Sequence, residues 1–275
     1  MHNFYHPEPA KITFISQQTA NIKLFRFEFE QKIPGWQFSF KPGQFIELSV
    51  AGLGEAPFAP CNAPGTPYIE LCVRQVGKLT DKLHQMKVGD KVSLRGPYGN
   101  GWPLAKYDFK AHQNLLIVVG GLGFVPLRTL ILGKNNYLGK DTKVQIFYGA
   151  KTPDEMLFRH EYDGWKKQNI DLALTIDKEA PHWKGEVGLV TTLFDKKELI
   201  PNSVVFLCGP PVMYQATLEK LKQHGLADEN IYLSLERRMH CGLGVCQHCG
   251  VGSFYTCKDG PVFSYAQLKD IPGAI

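Results

Sequence analysis

From residue 10 to about residue 100 the apolar positions recur with a period of two. In IKLFRFEFE, Phe25, Phe27 and Phe29 alternate with Leu24, Arg26 and Glu28, as in a half-buried strand. KITFISQQ, QFIELSV, YIELCVRQV and KVSLRG read the same way, separated by stretches containing Pro, Gly and Asn. Short strands at such regular spacing predict a small antiparallel β-barrel over residues 1–108. Within it, Leu79, Leu83 and Met86 fall on one face of a short amphipathic segment, which predicts a helix.

The period changes after a shift in composition at Pro103 to Asn114. Leu115-Leu-Ile-Val-Val119 is an unbroken apolar block, as in a parallel strand buried on both faces. A helix, LRTLILGKN, follows, and VQIFYGA, DLALTID and SVVFLCG are further strands. This alternation predicts an α/β sheet of the doubly wound, nucleotide-binding kind over residues 109–230. Residues 231–275 remain as a small C-terminal lobe.

Length and composition bound the reading further. A chain of 275 residues has room for two domains and a lobe, and 44% hydrophobic residues is ordinary for a globular protein. The net charge of +5 is spread along the chain and forms no basic stripe interleaved with aromatics, so no nucleic-acid partner is expected. MHNFYHPEPAK has neither the basic start nor the apolar stretch of a signal peptide, and no run approaches the roughly 20 apolar residues of a membrane span. A cytoplasmic location is expected. Seven cysteines, an odd number, suit a reducing compartment better than a disulfide framework.

Four of the seven lie in MHCGLGVCQHCGVGSFYTCKDG, as Cys241, Cys246, Cys249 and Cys257, spaced C-x4-C-x2-C-x7-C. A two-iron, two-sulfur (2Fe-2S) cluster needs four thiolates, two on each iron, and C-x4-C-x2-C followed by a further Cys supplies them in the plant-type order. Here the fourth cysteine is unusually near. The alternative is a structural zinc site, although zinc ligands usually come as two separated short pairs. Gly242, Gly244, Gly250 and Gly252 interleave the ligands and let backbone amides approach them. His248, between two of the cysteines, is read as a surface residue or as one that tunes the cluster.

Other stretches carry candidate chemistry. Arg74-Gln-Val-Gly77-Lys-Leu-Thr80 leads a strand into a helix and offers amides and a hydroxyl at the helix start, either a phosphate site or ordinary capping. Arg95-Gly-Pro-Tyr-Gly-Asn-Gly101 is a glycine-rich turn that closes the barrel. Gly120-Gly121-Leu-Gly123-Phe-Val-Pro126 sets glycines between a buried strand and a helix, where a pyrophosphate can approach the backbone, with Pro126 in the first helical turn. Asp177 closes DLALTID, where a carboxylate accepts from an adenosine ribose diol and repels a 2′-phosphate, or is simply an exposed turn residue. Cys208-Gly-Pro-Pro-Val-Met213 follows SVVFL at the carboxyl edge of the sheet, where open α/β folds bind ligands. A lone buried Cys there is otherwise packing.

Together, a barrel, GGxGxxP after a strand and CGPP-x-M resemble the ferredoxin-NADP reductase superfamily over residues 10 to about 230. The continuation LERRMHCGLGVCQHCGVG and CKDGPVF is similar to a narrower branch, the gamma subunits of cytoplasmic NAD(P)-linked hydrogenases and sulfhydrogenases. The B subunit of anaerobic sulfite reductase is close to that branch, and the dihydroorotate dehydrogenase electron-transfer subunit is similar in layout. The resemblance implies an FAD-binding barrel (1–108), an NAD(P)-binding α/β domain (109–230) and a 2Fe-2S lobe (231–275). It implies that Gly77 and Thr80, with Val73 and Arg74 beside them, hold the FAD pyrophosphate. Gly121, Gly123 and Pro126 match the dinucleotide loop; Cys208, in the catalytic position, Gly209, Pro210 and Met213 match the motif beside the nicotinamide ring. The segment around Asp177 is similar to NADH-preferring members, so NAD(H) is expected, with NADP(H) left open. One stretch departs from the superfamily's Arg-x-x-Ser flavin motif: Ala56-Pro57-Phe58-Ala59-Pro-Cys61-Asn62 lacks both the Arg and the hydroxyl, leaving backbone amides, or Cys61 and Asn62, to contact the ring.

The implied activity is electron transfer between NAD(P)H, FAD and the cluster. A redox partner subunit, carrying iron-sulfur clusters or the terminal active site, would dock near Arg237, Arg238, Lys258 and the tail FSYAQLKDIPGAI. The competing readings are a non-catalytic, cluster-carrying binding module, kept open by the altered flavin stretch, and a stand-alone diaphorase.

Overall fold

The computed structural model describes residues 5–30, 38–109 and 113–275. Residues 1–4, 31–37 and 110–112, included in stretches read above, lie outside these. The chain divides into two units: Met1–Gly101, Val125–Gly133 and Glu236–Pro261 form the first, and Trp102–Phe124, Lys134–Leu235 and Val262–Ile275 the second.

In the first unit six strands, β1 (Glu8–Thr19), β2 (Ile22–Phe29), β3 (Phe45–Val50), β4 (Gly54–Phe58), β5 (Ile69–Arg74) and β6 (Lys91–Tyr98), pair antiparallel in the order β4-β3-β6-β1-β2-β5. Pro60, just beyond β4, bridges to Leu71 of β5, so the two edge strands meet at this one pair. The period-two residues fill the interior: Phe25, Phe27, Ile46, Leu48, Ile69 and Leu71 share one core. β4 is the strand that periodicity does not reveal. It contains Gly54 and Pro57, which suit an edge position where a missing N–H is tolerated. Helix α1 (Lys78–Gln85) follows β5 and buries Leu83 against the same core. Helix α2 (Val125–Leu132) also belongs to this unit.

The second unit holds strands β7 (Asn114–Gly120), β8 (Val144–Ala150), β9 (Ile170–Ile176), β10 (Glu186–Val187), β11 (Ser203–Cys208) and β12 (Ile231–Ser234), parallel in the order β10-β9-β8-β7-β11-β12. Leu115 to Val119 are all buried, which is why this strand shows no alternation. Helix α3 (Pro211–Gln223) leaves the end of β11. The chain then departs for the hairpin β13 (Gly250–Val251) and β14 (Phe254–Tyr255) of the first unit and returns as β15 (Val262–Ser264), antiparallel to β12. Sequential order reverses between β7 and β11, so the carboxyl ends of these neighbours open at a topological switch point, the ligand position of doubly wound sheets.

Candidate functional site

The four clustered cysteines stand as two pairs. Cys249 and Cys257 flank the hairpin β13-β14, and the backbone N–H and hydroxyl of Thr256 both donate to the Cys249 carbonyl, at 3.0 and 2.9 Å. The hairpin accounts for the short C-x7-C spacing, because it folds the fourth cysteine back until its Sγ lies 3.2 Å from that of Cys249. Cys241 and Cys246 form the other pair, with the Cys246 N–H donating to Cys241 Sγ at 3.4 Å. Main-chain amides converge on the sulfurs: Leu243 (3.4 Å) and Val245 (3.3 Å) donate to Cys241, and Gly244 (3.0 Å) donates to Cys257. Gly242 and Gly244, at φ +74° and +77°, supply the left-handed turns that aim these amides. Such donors are what a thiolate, free or metal-bound, requires.

Burial and the Cys249 thiol push Cys257 up to about 12, whereas the backbone amides of His248 and Cys241 lower Cys246. No three His, Cys, Asp or Glu side chains among the described residues converge as a site for a single metal ion. His248 is exposed; its Nδ1 lies 3.1 Å from the Cys246 carbonyl and its ring meets His240 edge-on at 4.6 Å.

The barrel seats this loop through the glycine-rich turn that closes it. Arg95 Nη1 donates to the Cys241 carbonyl (2.8 Å) and the Tyr98 hydroxyl (2.9 Å). Its Nη2 donates to the His240 carbonyl (3.3 Å), and Nε and Nη2 together bind the Glu55 carboxylate. Asn100 donates from its backbone to the Gly260 carbonyl (2.6 Å) and from its side chain to the Asp259 carbonyl (2.8 Å). Phe45 and Tyr98 pack against Cys249 and Cys257. Beside this seat Glu47, opposite Arg95 in register, is 1% exposed, and neither of its carboxylate oxygens has a hydrogen-bond partner among the described residues. Burial raises its pKa to about 8 against the pull of Arg95. Sequence reasoning singled out the turn but gave no role to Arg95, Glu55 or Glu47.

The flavin candidates are spread over β4, β5 and the start of α1. Gly77 is exposed, with nothing within 4 Å of where a Cβ would stand, so a ligand has open access to this backbone. The Thr80 hydroxyl accepts from the Val76 and Gly77 amides (2.9 and 3.0 Å) and donates to the Gly77 carbonyl (2.9 Å), which shapes the helix start. Val73 is buried and its carbonyl meets His84 Nε2 at 2.9 Å, while Arg74 is exposed. Pro57, Phe58 and Ala59 are half-buried. Cys61 and Asn62 are buried and used within the chain: Cys61 Sγ donates to the Glu70 carbonyl (3.3 Å), and Asn62 donates to Thr66 and Tyr68 and accepts from the Glu70 amide. Their side chains are therefore committed to shaping the stretch. Ala59, Phe58 and backbone amides remain to meet a flavin, and these fit a ring more readily than a charged group.

Helix α2 holds the same stretch from its other side. Thr129 donates to the Pro60 carbonyl (3.0 Å), and Arg128 Nη1 donates to the Cys61 carbonyl and the Glu70 carboxylate, each at 2.9 Å. Glu70, itself buried, also binds Arg26 at 2.8 Å.

Of the dinucleotide candidates, Gly121, Gly123, Cys208, Gly209, Pro210 and Met213 stand at the switch point of the second unit. Gly121 takes φ +52° and has nothing within 4 Å of a Cβ position, whereas a Cβ on Gly123 would collide with the Cys208 carbonyl. Met213 packs over Gly120 and Gly209, and Pro210 over Gly120. Cys208 is 5% exposed at the end of β11. Asp177 stands exposed just past β9, its N–H on the Ala150 carbonyl at 3.1 Å. Pro126 lies in the first turn of α2. An open glycine turn at the carboxyl ends of β7 and β11 is a cradle for a pyrophosphate.

Comparison with known proteins agrees along the chain. Residues 9–102 match the oxidoreductase FAD-binding domain, 117–219 the oxidoreductase NAD-binding domain, and 236–269 the iron-sulfur cluster binding domain of dihydroorotate dehydrogenase B. Sulfhydrogenase 2 subunit gamma of Pyrococcus furiosus is 39% identical over 281 residues, covering 96% of each chain. Sulfhydrogenase 1 subunit gamma of the same organism is 36% identical, covering 99% of this chain and 96% of its own. A probable dihydroorotate dehydrogenase B (NAD(+)) electron transfer subunit of Methanocella arvoryzae is 32% identical, covering 94% and 90%. In fold, a chain from the structure of the NADH-dependent reduced ferredoxin-NADP oxidoreductase superposes with a TM-score of 0.75 at 24% identity, over 95% of this chain and 88% of that one. No helix among the described residues is long and apolar enough to cross a membrane.

Proposed function

The chain belongs to the family of sulfhydrogenase gamma subunits and dihydroorotate dehydrogenase B electron-transfer subunits, and from that membership we propose that it moves electrons between NAD(H), FAD and a 2Fe-2S cluster on behalf of a partner subunit. The observation that carries the cluster assignment is the pairing of thiols. Cys241 with Cys246, and Cys249 with Cys257, give two ligands to each of two irons, where a zinc ion would gather all four around one centre. Flavin exchanges electrons with nicotinamide as a hydride and with iron-sulfur centres singly, which is the conversion such a chain needs.

The chain's own residues bind and orient. Gly121, Gly123 and Pro126 receive the dinucleotide pyrophosphate at the start of α2, and Cys208, Gly209, Pro210 and Met213 border the nicotinamide end. Asp177 faces the adenosine ribose, where its charge favours NAD(H) over the 2′-phosphorylated form. Gly77, Thr80, Val73 and Arg74 hold the FAD pyrophosphate, and Pro57 to Ala59, shaped by Cys61 and Asn62, lie along the ring. These three sites divide the chain near residues 108 and 230.

The partner docks where the cysteine loop is exposed: Val245 is 65% exposed next to Cys246, and Arg238 and Lys258 are exposed in the same segment. A hydrogenase-type partner in the cytoplasm agrees best with the higher identity to the sulfhydrogenase subunits. A dihydroorotate dehydrogenase partner is the second reading, favoured by the cluster-domain match at residues 236–269. It predicts NAD(+) reduction coupled to dihydroorotate oxidation by the co-purified complex.

The test is an anaerobic absorbance spectrum with iron, sulfide and flavin quantified, followed by NADH and, separately, NADPH. Two irons and one flavin per chain, bleached by NADH well before NADPH, are expected. A cluster without flavin, unmoved by either nucleotide, would sink the reading in favour of a binding module.

A further inference from the structure

We infer that Arg95 is a positioning residue for the cluster, and that its charge, opposed by Glu55, sets how readily the cluster accepts an electron. The inference rests on the reading of Cys241, Cys246, Cys249 and Cys257 as 2Fe-2S ligands. Arg95 is 7% exposed, and its guanidinium is used on every side: the Glu55 carboxylate, the Tyr98 hydroxyl and the carbonyls of His240 and Cys241. Two consecutive carbonyls, the second belonging to the first ligand, are thus fixed to strand β6. Tyr98 extends the seat: its ring stands 3.2 Å from a Cβ position on Gly242, the residue after that ligand. A planar fork with five N–H donors can hold these partners at once, whereas the single ammonium of a lysine cannot.

The same burial gives the charge its second effect. In a site of low polarity a fixed positive charge beside a centre that gains an electron favours the reduced state, and a fixed negative charge opposes it. The Glu55 carboxylate, on β4, is held by Arg95 and bonds to no side chain of the cysteine loop among the described residues. It therefore acts on the cluster as a charge, without holding the ligands. The step concerned is the gain of one electron by the cluster, supplied below by dithionite, with no bond made or broken in the protein.

The experiment compares the wild-type chain with Arg95→Gln, Arg95→Lys and Glu55→Gln at one pH. Iron and sulfide are counted, the cluster midpoint potential is taken by dithionite titration followed by electron paramagnetic resonance, and the rate of iron loss to a chelator is measured. Arg95→Gln is expected to lower the equilibrium constant for reduction about tenfold, a downward shift of about 59 mV for one electron. Glu55→Gln is expected to shift the potential upward by a smaller amount, because the Glu55 side chain is 30% exposed and solvent screens its charge. Arg95→Lys keeps the charge, so its potential stays near that of the wild type, but its loop releases iron faster. Opposite shifts from partners of one ion pair are not produced by a general loosening of the fold. A Glu55→Gln chain with full iron and an unmoved or lowered potential overturns the charge role, even where Arg95→Gln fails to hold iron. An Arg95→Lys chain that keeps its iron as long as the wild type overturns the positioning role. A wild-type chain that binds no iron fails the cluster reading itself.

Discussion

Glu47 is the residue whose environment departs furthest from what a carboxylate prefers. Both oxygens are buried without hydrogen-bond partners among the described residues, and burial outweighs the attraction of Arg95, so its pKa rises from 4.5 to about 8. The folded chain then keeps a proton that the unfolded chain releases above pH 4.5. The stability this difference contributes is full below about pH 4.5 and is lost as the pH rises to about 8. Three pH units of such linkage amount to about 4 kcal/mol. Glu47→Gln, which has nothing to ionise, should therefore gain on the wild type as the pH is raised from 5 to 8. Thermal midpoints measured across that range should diverge by several degrees. Parallel curves for the two proteins would mean that Glu47 is ionised or solvated in the fold.

At the scale of elements, α2 follows the glycine loop in sequence and holds the flavin stretch: Arg128 and Thr129 bind its carbonyls. Replacing Arg128 by Met would leave Glu70 buried with Arg26 as its remaining cation; breaking a buried pair costs about 3 kcal/mol. The expected result is a thermal midpoint lowered by several degrees and a weaker hold on flavin, read by equilibrium dialysis of the reconstituted chain. At the other end of the loop, Gly123→Ala would drive a methyl into the Cys208 carbonyl. Displacement of the loop should weaken NADH binding at least tenfold, about 1.4 kcal/mol, with iron content unchanged; calorimetric titration checks this.

These elements also mark where the sequence is legible. Strand β2 announces itself because Phe25 and Phe27 alternate with the less buried Arg26 and Glu28, and β7 because it buries Leu115 to Val119 together. β4 does not, since an edge strand can carry Gly54 and Pro57 in place of a pattern. The cysteine spacing names its chemistry, yet the pairing of ligands depends on a hairpin whose strands are two residues each, too short for any period to appear. Arg95, Glu55 and Cys241 meet only through sheet register and a loop that returns 146 residues later. No local pattern encodes such a meeting. Cys61 and Asn62, expected from the altered flavin stretch to lie along a ring, also hydrogen-bond to Glu70, Thr66 and Tyr68, which the sequence alone does not show.

For the whole molecule, the cysteine segment is an excursion. The chain leaves the second unit after β12, contributes Glu236–Pro261 to the first, and re-enters as β15. The ladder that closes the excursion pairs Tyr232 with Ser264, Leu233 with Phe263 and Ser234 with Val262, and needs no residue of the segment. The parallel strands should therefore stand whether or not the cysteines are ligated. The barrel, by contrast, has Phe45, Tyr98 and Arg95 turned toward the segment, so disorder in the loop would strip cover from that unit. Removal of iron by an anaerobic chelator should accordingly leave NADH binding unchanged while proteolysis begins within residues 236–261 and reaches β3 and β6 before the parallel sheet. Hydrogen exchange resolves the order directly: protection should fall first at Leu243 to Cys246, next at Glu47 and Arg95, and last at Leu115 to Val119. Equal loss at all three would mean that the segment supports the parallel sheet as much as the barrel, and that the excursion is no appendage.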